Sequence, residues 1–184
     1  LVERARQLGY RALAITDECS LSGVVRAHLE AKKHSLQLII GSEFRLTDGL
    51  RLILLASCRQ SYARLAHLIT RARRQAKKGR YVLSRADIEQ YTPHGCLALW
   101  RISPYSPVEQ GRWLAGLFPD ACWIAVNARR NGRDRALFRH AAQISRACGL
   151  PQTACGAVQM HHPSQRALRD VLTAIRLNQP LAEL

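Results

Sequence analysis

The stretch Leu13-Ala-Ile-Thr-Asp-Glu-Cys-Ser-Leu-Ser-Gly23 sets the expected architecture. Its apolar start predicts a buried strand over Ala12–Ile15, and Asp17 and Glu18 follow that strand directly. Ser22 is placed to cap the helix that comes next. In α/β proteins the chemistry lies at the carboxyl ends of the strands. The stretch therefore predicts an α/β protein with two carboxylates at a strand end.

A second apolar run repeats this arrangement. Leu36–Ile40 predicts a strand, and Gly41-Ser42-Glu43 puts another acid just beyond it. Carboxylates at neighbouring strand ends are suited to holding metal ions that activate water. The residues at the ends of later strands are Cys58, Arg101 and Asn127, and none of them has a carboxylate or an imidazole side chain. Asp17, Glu18 and Glu43 are thus the candidate metal ligands, a complete metal centre is not expected, and no residue is predicted to be catalytic.

Strands and helices alternate about six times along the chain. Further strands are predicted at Leu50–Ala56, Cys96–Trp100, Ala121–Val126 and Gln152–Cys155, and helices at 60–78, 84–91, 108–117, 132–148 and from Ser164 to about 177. Ser84 and Asp87 are spaced as a capping box, and Ser164 is placed to cap the last helix. Thr47-Asp48-Gly49 predicts a turn that pairs Phe44–Leu46 with Leu50–Ala56 as a hairpin. The alternation predicts right-handed βαβ units in a parallel sheet or barrel. Because the chain opens on a helix, we expect a preceding strand to be missing.

Composition bounds the class of protein. The 184 residues are 47% hydrophobic and 22% charged, which predicts one soluble domain with a full core. No apolar run approaches the roughly 20 residues that cross a bilayer, so we expect no membrane contact, and the cysteines favour a cytoplasmic protein. Six cysteines without a Cys-x-x-Cys pair predict reduced thiols rather than disulfides.

The net charge of +15 favours a polyanionic partner such as nucleic acid. No acid lies between Asp48 and Asp87, a span that holds ten basic residues. The candidate nucleic-acid-binding residues are Arg71, Arg73, Arg74, Lys77 and Lys78. On the helix predicted over 60–78, Arg73 and Lys77 would share one face. This cluster either binds phosphates or is a solvated face, and the pattern favours neither. A smaller basic group follows at Arg129-Arg130-Asn-Gly-Arg133.

The order of these segments resembles the polymerase and histidinol phosphatase (PHP) domain at the amino end of bacterial DNA polymerase III alpha subunits. It is most similar to the error-prone, DNA-damage-associated branch. The resemblance is carried by Gly9–His28, Ile40–Phe44, Asp48–Ala56, Leu68–Arg73, Gly95–Trp100 and Ala167–Arg176. It runs from end to end and implies a distorted seven-stranded (β/α) barrel. Residues 1–184 would form a single domain that lacks the first strand and the downstream polymerase domains.

The resemblance also implies a degenerate metal site. Active members bind metals through a His-x-His, an Asp-His pair, a Glu, further histidines and a late Asp-x-His. Asp17 and Glu43 match the Asp and the Glu, whereas Glu18 replaces the His of the pair. Other ligand positions of the family are here Arg51, Ala157 and Gln159. Asp17 and Glu43 would be vestigial ligands, with no tightly bound metal and at most residual Zn²⁺ or Mn²⁺.

For function, the resemblance implies a parent error-prone DNA polymerase that uses Mg²⁺ in a downstream domain. That parent would act in DNA replication, repair and lesion bypass, together with accessory proteins. The present domain would be a structural scaffold on the polymerase body, near DNA. Two alternatives stay open. One is a metal-dependent phosphoesterase or 3′–5′ exonuclease, to which His161 and His162 could contribute if they are not solvated loop residues. The other is a basic nucleic-acid-binding module.

Overall fold

The computed structural model describes residues 1–91, 95–128, 132, 134–156 and 158–184. The strands are β1 Ala12–Ile15, β2 Gln37–Arg45, β3 Arg51–Ala56, β4 Cys96–Arg101, β5 Cys122–Val126 and β6 Gln152–Ala154. The helices are α1 Val2–Gln7, α2 Val24–Lys33, α3 Arg59–Arg74, α4 Arg85–Tyr91, α5 Val108–Leu117, α6 Asp134–Cys148 and α7 Arg166–Leu177. Short 3₁₀ turns lie at Pro163–Gln165 and Leu181–Glu183. These elements confirm the predicted α/β class.

The six strands form one sheet in the order of the sequence, β1-β2-β3-β4-β5-β6. The pairs β1–β2, β4–β5 and β5–β6 are parallel, but β3 is antiparallel to both of its neighbours. The sheet is therefore mixed: β2 and β3 form the predicted hairpin, and the antiparallel pair β3–β4 departs from the predicted βαβ units. The predicted turn at Thr47–Gly49 explains the difference, because a parallel connection needs a crossover of a dozen or more residues. That turn is closed by a hydrogen bond of 3.0 Å from the Leu50 amide to Asp48 Oδ1.

The second strand is longer than predicted and has two partners. Its first half pairs with β1, and its second half, from Gly41 to Arg45, pairs with β3. Glu43 therefore lies within β2 and not in a loop beyond it, which corrects the prediction. The strand continues because Gly41 brings it close to β3. A Cβ at Gly41 would lie 2.6 Å from the Leu54 carbonyl oxygen, and only glycine permits that approach.

Most of the core lies on the face of the sheet that packs against the helices. Its largest fully buried side chains include Phe44, Leu52, Leu54, Leu65, Trp100 and Ile144. Trp100 lies directly under α5, where a Cβ at Gly111 would come within 2.8 Å of its Cζ3. A smaller apolar cluster joins α1 and α2 to the first two strands through Val2, Ala5, Ala27, Ala31 and Leu36. The strands are thus held by packing on these two apolar clusters.

The long basic helix ends earlier than predicted. α3 stops at Arg74, with Gln75 as its C-cap, so Arg73 and Lys77 do not share a helical face. The helix ends here because of a contact with a later segment. The Val82 amide donates to the Ala72 carbonyl at 3.1 Å. In a longer helix that carbonyl would accept from an amide of the next turn. Repulsion among closely spaced cations also disfavours continuation.

Three predicted helix caps had different outcomes. At α4 the capping box is confirmed, because Asp87 Oδ2 accepts from the Ser84 amide at 2.9 Å and Ser84 Oγ accepts from the Asp87 amide at 3.1 Å. Ser22 is not the N-cap of α2, since Gly23 holds that position. Ser164 lies inside the 3₁₀ turn before α7, where His162 Nδ1 accepts from its amide at 3.3 Å. Short polar residues near a helix start therefore identified the start but not always the capping residue.

Some sequence features lie outside the described residues. They are Ala157 of the family comparison and Arg129, Arg130, Asn131 and Arg133 of the smaller basic group. Among the helices that the structure describes, none is long and apolar enough to cross a membrane. All six cysteines are free thiols.

Candidate functional site

The acids that follow β1 lie beside the acid within β2. The Glu43 amide donates to the Asp17 carbonyl at 3.2 Å, and the Cys19 amide donates to the Glu43 carbonyl at 2.8 Å. These bonds make Glu18 and Glu43 an isolated parallel bridge. We call residues 17–20 the acidic loop. The structure thus brings the two predicted metal ligands, Asp17 and Glu43, onto adjacent chain segments.

A buried serine fixes the acidic loop to β2. Ser42 is fully buried, and its hydroxyl donates to the Asp17 carbonyl at 2.8 Å and accepts from the Ser20 amide at 3.1 Å. This hydroxyl therefore both donates and accepts a hydrogen bond within the protein, as is usual for a buried polar group. The loop is held to the strand by side chain as well as by backbone.

The carboxylate of Glu43 is ion-paired. Its partner is Arg101, the last residue of β4, whose Nη1 donates to Glu43 Oε1. The two side chains are only 22% and 13% exposed, respectively. Glu43 is in register with Ile53 on β3, and Ile53 is in register with Leu99 on β4. Because Leu99 and Arg101 share a face of the sheet, the guanidinium reaches Glu43 across β3.

The end of β6 reaches the same place. Cys155 follows β6 directly, and burial raises the pKa of its thiol. The positive charge of Arg101 lowers that pKa and the negative charge of Glu43 raises it, in both cases by less than burial does. Arg101 is in register with Ala125 on β5, and Ala125 with Thr153 on β6, so Cys155, two residues after Thr153, lies on the same face of the sheet as Arg101. The ends of β2, β4 and β6 therefore meet at one edge of the sheet.

The other two acids of the loop have different environments. Asp17 is exposed, and in the described part of the chain its carboxylate has no hydrogen bond or ion pair. Glu18 Oε1 accepts from the Tyr81 hydroxyl at 2.8 Å, and that hydroxyl accepts from the Arg45 amide at 2.8 Å. Burial raises the pKa of Tyr81, so its hydroxyl stays protonated and can donate to Glu18.

The predicted nucleic-acid-binding residues divide into two groups. Arg73 Nε donates to the Cys19 carbonyl at 3.1 Å, its Nη2 donates to the Glu18 carbonyl at 3.2 Å, and its guanidinium lies 5.5 Å from the centroid of the Tyr81 ring. Arg71 lies 5.6 Å from the centroid of the Tyr91 ring. Arg73 therefore holds the acidic loop.

The remaining cations of the cluster face solvent. They are Arg74, Lys77 and Lys78, which are exposed. Their side chains have no hydrogen bond or ion pair with the residues that the structure describes. These three side chains are therefore open to an anionic partner.

The donor set does not fit the metal centre found in the active members of the family that the sequence resembles. Glu43 is paired with a guanidinium, Glu18 with a phenol, and His162 Nδ1 with Ser164. Across the described ranges, no group of three or more His, Cys, Asp and Glu side chains is arranged to hold a metal ion. His161 is exposed in the loop before α7. Metal binding at Asp17 and Glu43 thus stays a prediction.

Sequence reasoning missed the part that Arg101 plays. Arg101 was treated only as a residue at the end of a strand, with a side chain that cannot bind a metal ion. The signal that was available is a single arginine directly after the apolar run Cys96–Trp100, at the sheet edge where the acids of other strands lie. A cation in that position is expected to pair with one of those acids.

The fold and this edge define an α/β domain with acids gathered at the carboxyl ends of its strands. Residues 1–135 match the family model described as the PHP domain. The chain belongs to the PHP domain family.

Its curated relatives include error-prone DNA polymerases. The chain is 50% identical over 184 residues to the protein of that name from Methylococcus capsulatus. It is 46% identical to that of Dechloromonas aromatica and 47% identical to that of Pseudomonas aeruginosa. Each alignment covers all of this chain and 18% of the relative. The chain thus spans less than a fifth of the length of these relatives.

Solved structures with the same fold are more distant in sequence. A protein from Bifidobacterium adolescentis, assigned as a metal-dependent phosphoesterase, matches with a TM-score of 0.60 and 14% identity over 88% of this chain and 81% of its own. An amidohydrolase from Chromobacterium violaceum, with bound sulfate and no metal, matches with a TM-score of 0.56 and 14% identity over 89% and 82%. These likenesses confirm the partial (β/α) barrel fold.

Proposed function

We propose that this chain is the amino-terminal PHP domain of an error-prone DNA polymerase. The proposal rests on the 50% identity to such a polymerase over the whole chain. The parent protein would extend DNA by Mg²⁺-dependent nucleotidyl transfer on a template. It would act in the cytoplasm during replication, repair of DNA damage and lesion bypass, and accessory lesion-bypass proteins would be further partners. Its catalytic domain lies outside these 184 residues.

Within that polymerase, we assign this domain a structural role without catalysis of its own. The supporting observation is the ion pair between Glu43 and Arg101. A carboxylate that binds a metal offers its lone pairs to that metal, and here Oε1 of Glu43 accepts from a guanidinium instead. The exposed Asp17 alone is a weak ligand set.

The last helix supports packing of this domain on other parts of the polymerase. α7 has no buried residue. Its apolar side chains recur at helical spacing, and Leu168, Leu172 and Ile175 are 55%, 57% and 71% exposed. Contiguous exposed apolar surface of this kind is typical of protein–protein contacts. We assign the downstream polymerase domains as the partner of this face.

Metal content and hydrolysis test the structural role against the phosphoesterase or exonuclease alternative. We expect the purified chain to retain less than about one Zn²⁺ or Mn²⁺ per molecule, because the Glu43 carboxylate is already neutralised. Elemental analysis after desalting measures this. Hydrolysis of a chromogenic phosphate ester and of a labelled 3′ end should match the rate without protein. The full-length protein should extend a primed template in Mg²⁺.

The opposite result is equally clear. Stoichiometric metal, together with hydrolysis that a chelator abolishes, would favour the phosphoesterase or exonuclease. A full-length protein that cannot extend any primer would contradict the polymerase assignment.

A contribution to DNA binding is the second candidate function. It is supported by the solvent-facing cations Arg74, Lys77 and Lys78 and by the net charge of +15. Phosphate contacts of this kind gain free energy by releasing counterions. We propose that these three residues face the DNA on which the polymerase acts.

Replacing Arg74, Lys77 and Lys78 by Ala should weaken binding of single-stranded DNA. If all three contact phosphates, the slope of log K against log salt should fall in magnitude by about 2. Fluorescence anisotropy over a salt series measures both quantities. The matched control replaces Arg6, Arg26 and Lys32, which are also exposed, and makes the same change in charge. Equal effects of the two triple variants would show that only net charge matters.

A further inference from the structure

The edge where the strands end collects negative charge. Asp17, Glu18 and Glu43 lie on adjacent segments there, joined by the backbone bonds of the isolated bridge. The carboxylate of Glu43 is only 22% exposed, and a charge at such a position is destabilised by the loss of water unless a cation is present. In metal-binding proteins that cation is often a bound metal.

In this chain the cation belongs to the protein. Arg101 is the only basic residue whose side chain bonds to the carboxylate of Glu43 in the described parts of the chain. It is 13% exposed, and it comes from β4, whereas the acids come from β1 and β2. Arginine is suited to this position because its guanidinium stays charged when partly buried.

We propose that Arg101 is a built-in substitute for a metal ion, which neutralises Glu43 and so joins the ends of β2 and β4. Glu43 in turn holds the acidic loop through its backbone, because its amide and carbonyl bond to Asp17 and Cys19. The ion pair therefore orders β1, β2 and β4 together. The sheet edge keeps its shape without a bound metal.

This inference deepens the proposed structural role and rests on it. The two can still fail separately, because the present test measures order at the sheet edge and not hydrolysis. Unchanged order in the variants would overturn only the role of Arg101. Metal-dependent hydrolysis by the unaltered chain would overturn the structural role itself.

The test is chemical rescue of Arg101→Ala, followed by hydrogen–deuterium exchange. We expect amide exchange in peptides from 12–23 and 41–45 to become about tenfold faster or more, because Glu43 is left as an unpaired, half-buried charge. Methylguanidinium should restore protection at millimolar concentration. Methylurea, which has a similar shape but no charge, should not. Mn²⁺ should also protect the variant and leave the unaltered protein unchanged.

A second set of variants covers the case in which Arg101→Ala does not fold. The double variant Arg101→Met with Glu43→Gln removes both charges and is expected to fold, with exchange slower than in Arg101→Met alone. If the two substitutions act independently, the factors by which each accelerates amide exchange should multiply. A double variant whose exchange rate equals that product would overturn the proposal. So would rescue by methylurea equal to that by methylguanidinium.

Discussion

Arg73→Met is expected to lower the free energy of unfolding by about 2–4 kcal/mol. The guanidinium of Arg73 donates to the carbonyls of Glu18 and Cys19 and lies over the ring of Tyr81. Hydrogen bonds to a charged group contribute about 1.5–3 kcal/mol each, and a cation–π contact about 0.5–1 kcal/mol. The total is smaller than the sum, because water replaces part of the lost contacts. Methionine keeps an unbranched aliphatic side chain, so the loss in the free energy of unfolding measures the contribution of the guanidinium group.

The matched control is Arg74→Met, one residue along the same helix. Arg74 is exposed, and its replacement should change the free energy of unfolding by less than about 0.5 kcal/mol. Urea unfolding followed by circular dichroism measures both variants. Equal destabilisation would show that Arg73 does not hold the acidic loop. The pair would then belong together as surface cations, as the sequence pattern alone predicted.

Gly41→Ala is the second change with a large expected effect, about 3 kcal/mol of destabilisation. Its Cβ would lie 2.6 Å from the Leu54 carbonyl oxygen and 2.7 Å from Leu55 Cδ2. The carbonyl belongs to the backbone of β3 and cannot rotate away, so the two strands must separate. For a chain of this length, about 3 kcal/mol corresponds to a fall in Tm of roughly 6–12 °C. Differential scanning fluorimetry measures this change.

Gly116→Ala is the control for that substitution. Gly116 lies inside α5, and no heavy atom lies within 4 Å of the position of its Cβ. Alanine is preferred over glycine in a helix by about 0.5–1 kcal/mol, so Tm should rise slightly. A Gly41→Ala variant with unchanged Tm would mean that β2 does not pass so close to β3. The continuous strand that carries Glu43 would then be in doubt.

Two arginines act on the same acidic part of the sheet. Arg73 holds the loop that carries Glu18 from one side, and Arg101 holds Glu43 from another. Both cations come from elements far along the chain. Removing either should loosen the same loop, so the double variant Arg73→Met with Arg101→Met is expected to be non-additive.

Several features of the fold could be predicted from short stretches alone. The hairpin turn at Thr47–Gly49 and the capping box of Ser84 and Asp87 were predicted and are confirmed. The alternation of strands and helices was predicted as well, with boundaries mostly within a few residues. These features depend on interactions between residues close in the chain, and such interactions are visible in the sequence.

Other features depend on contacts between distant residues. The Glu43–Arg101 pair joins positions 58 residues apart, and the bond from Arg73 to Cys19 spans 54 residues. The early end of α3 depends on a bond from Val82 that no local pattern indicates. The pattern of charges is the same whether an arginine faces water or a carbonyl. Arg73 and Arg101 bond to the acidic part of the sheet, whereas Arg74 faces solvent. Only the packing of α3 and β4 in the tertiary structure decides which arginine has which role.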